Sequence, residues 1–125
     1  MEIRVDEVKQ IAYIKLVGKV KSKDILSAFD NAVSSESYQP GMARLWDFTE
    51  IDLTSLEFNL IPDMARYSTK FPTGIRDVKV AFVVSKSLEY GLTRMFQTYS
   101  DMYANSQVSV FNNFEAAEQW IMDNK

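Results

Sequence analysis

The sequence contains no cysteine and no histidine. Without cysteine no disulfide can form and no thiolate can act as a nucleophile. Without histidine a Ser-His-Asp triad is excluded, zinc sites of the usual Cys/His kind are excluded, and no imidazole can shuttle protons near neutral pH. Catalysis would have to rest on carboxylates, lysine, tyrosine or serine. Glycine is scarce as well. There are four, and none forms the G-x-G-x-x-G or P-loop patterns that cradle phosphates. No apolar run approaches the ~20 residues of a membrane span. The stretch Met1-Glu-Ile-Arg-Val-Asp-Glu-Val8 places charge where a signal peptide needs an apolar core. These absences read as a cytoplasmic protein with no integral membrane segment.

What remains is an ordinary globular composition. The 125 residues are 46% hydrophobic and 25% charged, which fits a single domain spanning 1–125 with one proper core. The net charge is −3, and the basic residues are scattered among acids. Nucleic-acid binding needs clustered lysine and arginine to displace phosphate counterions, so no nucleic-acid partner is expected.

Along the chain, Glu2–Val5 and Ile11–Val17 read as strands joined by a short polar hairpin connection. Ser22 can cap a helix reaching Ser34, with Ile25, Phe29, Ala32 and Val33 on one stripe. Met42–Phe48 reads as a buried strand ending near Asp47. Thr54 and Glu57 have capping-box spacing for a helix reaching Lys70, which Pro62 should kink or restart. Val78–Ser85 is almost continuously apolar, as in a strand covered on both faces. Ser87 can cap a helix to about Asn105. Val108–Phe111 is a last strand, and Asn113 can cap a final helix carrying Phe114, Ala117, Trp120 and Ile121. The order β-β-α-β-α-β-α-β-α implies an α/β fold with a mostly parallel five-stranded sheet flanked by helices.

Several features occur together in this order: Phe29-Asp30, Pro40-Gly41-Met42, Leu45-Trp46-Asp47, Val80-Ala-Phe-Val-Val-Ser85, Tyr90-Gly91-x-x-Arg94-Met95-Phe96, Val108-x-Val110-Phe111 and Glu115-Ala116-x-x-x-Trp120. Over essentially its whole length the chain resembles the SpoIIAA-like family of small bacterial proteins, relatives of STAS domains and anti-sigma-factor antagonists. The resemblance implies the same sheet-and-helix architecture, frequent dimers, and binding of partners or small molecules. In the switch members a serine after the third strand is phosphorylated. This chain has Asp52-Leu53-Thr54-Ser55-Leu56 there in place of an Asp-Ser-Ser-Gly run, so Thr54 and Ser55 are the hydroxyls in question. The resemblance also keeps a lipid-like ligand in play.

Candidate sites follow from residue type and spacing. Asp47, Glu50 and Asp52 could hold Mg²⁺ near a strand end, or simply form a solvated loop with local capping. Asp47 and Arg94 could approach each other as polar groups at the carboxyl end of the sheet. On the third helix Leu88, Leu92, Met95, Phe96, Tyr99, Met102 and Tyr103 share one side, the width of a core-facing stripe, while Tyr90 projects elsewhere. The Pro62 helix carries Phe58, Leu60, Ile61, Met64, Ala65, Tyr67 and Phe71 over an arc wider than sheet packing requires. Phe58, Met64, Tyr67, Phe71, Tyr90, Tyr99 and Tyr103 are therefore the candidates for an apolar ligand or partner surface. The leading expectation is a non-enzymatic interaction or regulatory module with a protein partner or a homodimer, and no cofactor. The alternative is a carrier or sensor of a small apolar ligand in a groove between helices two and three. A carboxylate-based enzyme at Asp47 and Asp52 is the third reading, and it would need one acid with a pKa raised by burial.

Overall fold

The computed structural model describes residues 1–104 and 106–123. Five strands form one sheet in the order β1-β2-β3-β4-β5. They are β1 Glu2–Asp6, β2 Ile11–Lys19, β3 Ala43–Asp52, β4 Lys79–Val84 and β5 Gln107–Phe111. β1 and β2 pair antiparallel, and every later pairing is parallel. Asp6 closes the hairpin by accepting the Val8 and Lys9 amides. The parallel strands are joined by three crossovers containing α1 (Ser22–Val33), α2 (Ile61–Tyr67) and α3 (Ser87–Tyr103), and α4 (Phe114–Met122) follows β5.

The strand order steps in one direction, so crossovers of the usual right hand put all three helices on the same face. Packing agrees. Alternation along β3 and β4 sends Trp46, Phe48, Val80, Phe82 and Val84 into one core with α1, α2 and α3. The intervening Leu45, Ala81 and Val83 join Ile11 and Tyr13 in a second core against Ala117 and Ile121 of α4. One face thus carries three helices and the other carries one short helix.

The expected element order and mostly parallel sheet are present, and several local readings need correction. β3 does not end near Asp47. It continues to Asp52, because the long β2 supplies partners as far as Lys19 after an irregularity opposite Asp47. Ser22 and Ser87 are first helical residues and do not cap; the cap positions are Lys21 and Lys86. Residues Thr54 and Glu57 form no capping box. Thr54 donates its amide and hydroxyl to Asp52, and the Glu57 carboxylate accepts the Ser22 amide at the start of α1, 3.1 Å away. That hydrogen bond holds the Glu57 carboxyl below its ordinary pKa. Pro62 is the second residue of α2, after a 3-10 turn at Phe58–Leu60. In the first helical turn its missing N–H costs nothing, so the helix restarts there rather than kinking. Asn113 does cap α4, accepting the Ala116 amide at 2.9 Å. The expected end of the third helix at Asn105 lies outside the described residues.

Candidate functional site

Beneath α1, α2 and α3 the three-helix core is not filled. A cavity of about 70 Å³ lies over β3, β4 and β5. The sheet contributes Trp46, Phe48, Phe82 and Val108, and the helices line it with Phe29, Met64, Tyr67, Leu92 and Phe96. Protein interiors pack like organic crystals, with few voids larger than a water molecule. An apolar cavity of roughly 150 Å³ admits benzene, so this one is about half that size as it stands. One wall is α2, seven residues bracketed by single 3-10 turns. α2 is tied down by side chains. The Tyr67 hydroxyl donates to Asp30 of α1 at 2.8 Å, which raises the phenol pKa. Phe29, Tyr67 and Phe71 meet as three rings with centroids 5.1–5.7 Å apart.

Among the described residues lining the cavity, Arg44 alone is charged. Alternation puts it on the same face of β3 as Trp46 and Phe48, and it is only 2% exposed. Its Nη1 donates to the Tyr38 hydroxyl and to the Ile75 carbonyl, both at 2.9 Å. The Ile75 carbonyl is brought within reach by the turn before it. Gly74 has a φ of +96° and lies so close to Pro40 that a side chain at this position would collide. The guanidinium also lies over the Phe29 ring, 4.7 Å from its centroid. Among the described residues Nε has no hydrogen-bond partner. The ion pairs among the described residues are Lys9–Glu118, Lys15–Glu50 and Asp63–Arg66, and none involves Arg44. Burial therefore lowers the guanidinium pKa, opposed by the Tyr38 hydroxyl.

No family model matches the sequence, and no curated protein matches it. Among solved structures, one similar chain is an uncharacterized protein from the DUF3478 family, with a SpoIIAA-like fold, from Shewanella loihica PV-4. The two superpose with a TM-score of 0.59 over 96% of this chain and 92% of that one, at 18% identity. This chain has a SpoIIAA-like fold.

Within that fold the residues singled out from the sequence separate into three groups. Met64 and Tyr67 line the cavity, and Phe71 packs against Tyr67 and Phe29 at its edge. Phe58 is 65% exposed and does not line the cavity. Tyr90, Tyr99 and Tyr103 of α3 do not line the cavity; Tyr90 and Tyr103 are exposed and Tyr99 is half-buried. Tyr99 stacks on Tyr103, which in turn lies under Arg66 of α2. The apolar space is therefore not a groove between helices two and three. It lies under them, with α1 and the sheet as its other walls.

The third helix is also turned from its expected orientation. Glu89, Thr93 and Ser100 are its buried residues, while Leu88, Met95 and Met102 are exposed. Glu89 and Thr93 are hydrogen-bonded, while Gln97 Oε1 is buried with no partner among the described residues. Thr93 donates to the Glu89 carbonyl, and the Glu89 carboxylate accepts the Leu53 amide. Small side chains at Thr93 and Ser100 leave room for Leu92 and Phe96 to reach the core.

The polar candidates do not assemble. Asp47 lies on the α4 side of the sheet, beside Tyr13, Lys15 and Phe114. Arg94 is on α3, across the sheet, so the two cannot pair. Asp47 instead accepts the amide and hydroxyl of Thr49, Asp52 those of Thr54, and Glu50 pairs with Lys15 at 2.6 Å. No group of acids able to hold a metal ion is found among the described residues. Thr54 and Ser55 are exposed. No helix among the described residues is long and apolar enough to cross a membrane.

Sequence reasoning missed Arg44. The signal was present: a lone cation inside the apolar run Met42-Ala-Arg-Leu-Trp46, at the alternation position shared with Trp46.

Proposed function

We propose that this domain is a non-enzymatic module that binds a small apolar ligand in the cavity beneath α1, α2 and α3. One observation carries the reading: unfilled space in the larger core, walled by aromatic and aliphatic side chains from three helices and three strands. Ligand sites are mostly apolar and concave, with a few placed polar groups. Butanol is a suitable probe because its chain matches so small a space. In methyl-detected NMR titrations we expect shifts concentrated at Ile25, Met64, Leu92 and Val108, with an accompanying rise in Tm. Shifts scattered over the exposed methyls of Val8, Leu88 and Met102, with Tm unchanged, would sink the proposal.

A second reading, self-association through the outer face of α3, is favoured by a different observation. Leu88, Met95 and Met102 recur every seventh residue and fall within about 40° of one another around the helix. All three are exposed, and Gly91 lies on the same strip. A methyl group at Gly91 would meet nothing within 4 Å among the described residues. Gly91→Ala should therefore stabilise the isolated subunit by about 0.5–1 kcal/mol. If a second copy packs on this strip, the same substitution weakens association, and sedimentation velocity at several concentrations will show more monomer. A monomeric wild type across that range removes the reading.

A further inference from the structure

The cavity has an apolar body and a single cation, and that cation is only partly used. Arg44 spends its hydrogen bonds on one terminal nitrogen. Nη1 serves both Tyr38 and Ile75, Nε is buried with no partner among the described residues, and the Arg44 side-chain hydrogen bonds found among those residues are all made by Nη1. Nε and Nη2 form the edge with which a guanidinium grips a carboxylate through two parallel hydrogen bonds. A buried cation without a counter-charge is costly, by several kcal/mol in typical cases. The fold tolerates it through the Phe29 ring face and two neutral acceptors, neither of which supplies a negative charge. The missing complement is planar, anionic and small enough to share a tight space with aromatic rings.

We infer that the ligand of this cavity is a small carboxylate with an apolar tail, its two oxygens on the Nε–Nη2 edge of Arg44 and its tail among Met64, Phe82, Leu92 and Phe96. The inference rests on the ligand-binding reading above. It adds the chemical class of the occupant and the residue that selects it. Arginine suits the role better than lysine would, since its charge persists even when burial lowers its pKa. The Tyr38 and Ile75 contacts hold the guanidinium plane in place before any ligand arrives.

The test compares butyrate with butanol, which share a chain and differ in charge, on the wild type and two variants. Charge-assisted hydrogen bonds predict that wild-type protein binds butyrate on the order of 10- to 100-fold more tightly than butanol. Arg44→Met keeps an apolar side chain of comparable length. It should lose the preference for butyrate, read as the ratio of butyrate to butanol affinity within the variant. Arg44→Lys, which keeps the charge without the fork, should retain only part of the preference and serves if Arg44→Met does not fold. Butyrate and butanol binding equally to the wild type overturns the carboxylate inference and leaves the cavity reading intact. Failure of both to bind removes the two together. A butyrate preference that survives in both variants shows that Arg44 is not the anchor and also overturns the inference.

Discussion

Phe82→Ala is expected to destabilise the domain by about 3–5 kcal/mol and to lower Tm by roughly 10–25 °C. Phe82 is at the centre of β4 and is buried. Its ring stacks on Trp46 at 6.0 Å, tilts against Phe48 at 5.3 Å, and meets Phe96 of α3 edge-on at 5.4 Å. Removing it takes away contacts in β3, β4 and α3 at once. The space it vacates joins the cavity already present, so the hole cannot be closed by one side chain changing rotamer. Against a total stability of about 5–15 kcal/mol, that loss decides whether the domain stays folded at growth temperature. The enlarged space should now admit benzene, and saturating benzene should recover part of the lost Tm in the variant while moving the wild type less. Urea denaturation with and without benzene measures both effects. A loss below about 1 kcal/mol with no benzene response would mean that α1, α2 and α3 do not hold these walls where they are described.

The architecture could be read from the sequence because each strand announces itself. Val80-Ala-Phe-Val-Val84 needs cover on both faces, and the alternation of strand and helix patterns then leaves few topologies. The candidate site was half legible. Excess apolar area around Met64 and Tyr67 was visible as a wide arc, and both do wall the cavity. The arc could not say whether that excess faces outward or inward. Phe58 went out, Met64 went in, and Tyr67 was fixed by Asp30 of α1, a contact between residues 37 positions apart. α3 misled for a related reason. Residue type suggested that Leu88, Met95 and Met102 face the core, yet the inward positions are held by Glu89, Thr93 and Ser100. A polar residue can occupy a buried position when its hydrogen bonds are met, and the partners of Glu89 and Thr93 depend on tertiary placement that no periodicity encodes. The expected Ser22 cap failed similarly. The acceptor at the start of α1 comes from Glu57, 35 residues away from Ser22.

Glu89→Ala should cost about 2–3 kcal/mol, and Glu89→Gln about 1 kcal/mol. Glu89 lies in the first turn of α3 and is 3% exposed. Its Oε2 accepts the amide of Leu53, itself buried just beyond the end of β3, at 3.0 Å. With alanine, that amide is left in an apolar surrounding with no acceptor, which costs more than the hydrogen bond contributes when made. Glutamine restores a carbonyl oxygen at the same reach and gives up only the charge, which is favourable at a helix N-terminus. The pair of variants therefore separates the acceptor from the charge. Equal losses in the two would assign the effect to charge and contradict this account. The consequence reaches the cavity, since Leu53 and Leu92 both line it and Glu89 is the tie between the loop carrying one and the helix carrying the other. Amide exchange at Leu53 should accelerate strongly in Glu89→Ala and little in Glu89→Gln. Butanol affinity should fall in the same order, because a wall free to shift no longer presents a preformed apolar surface.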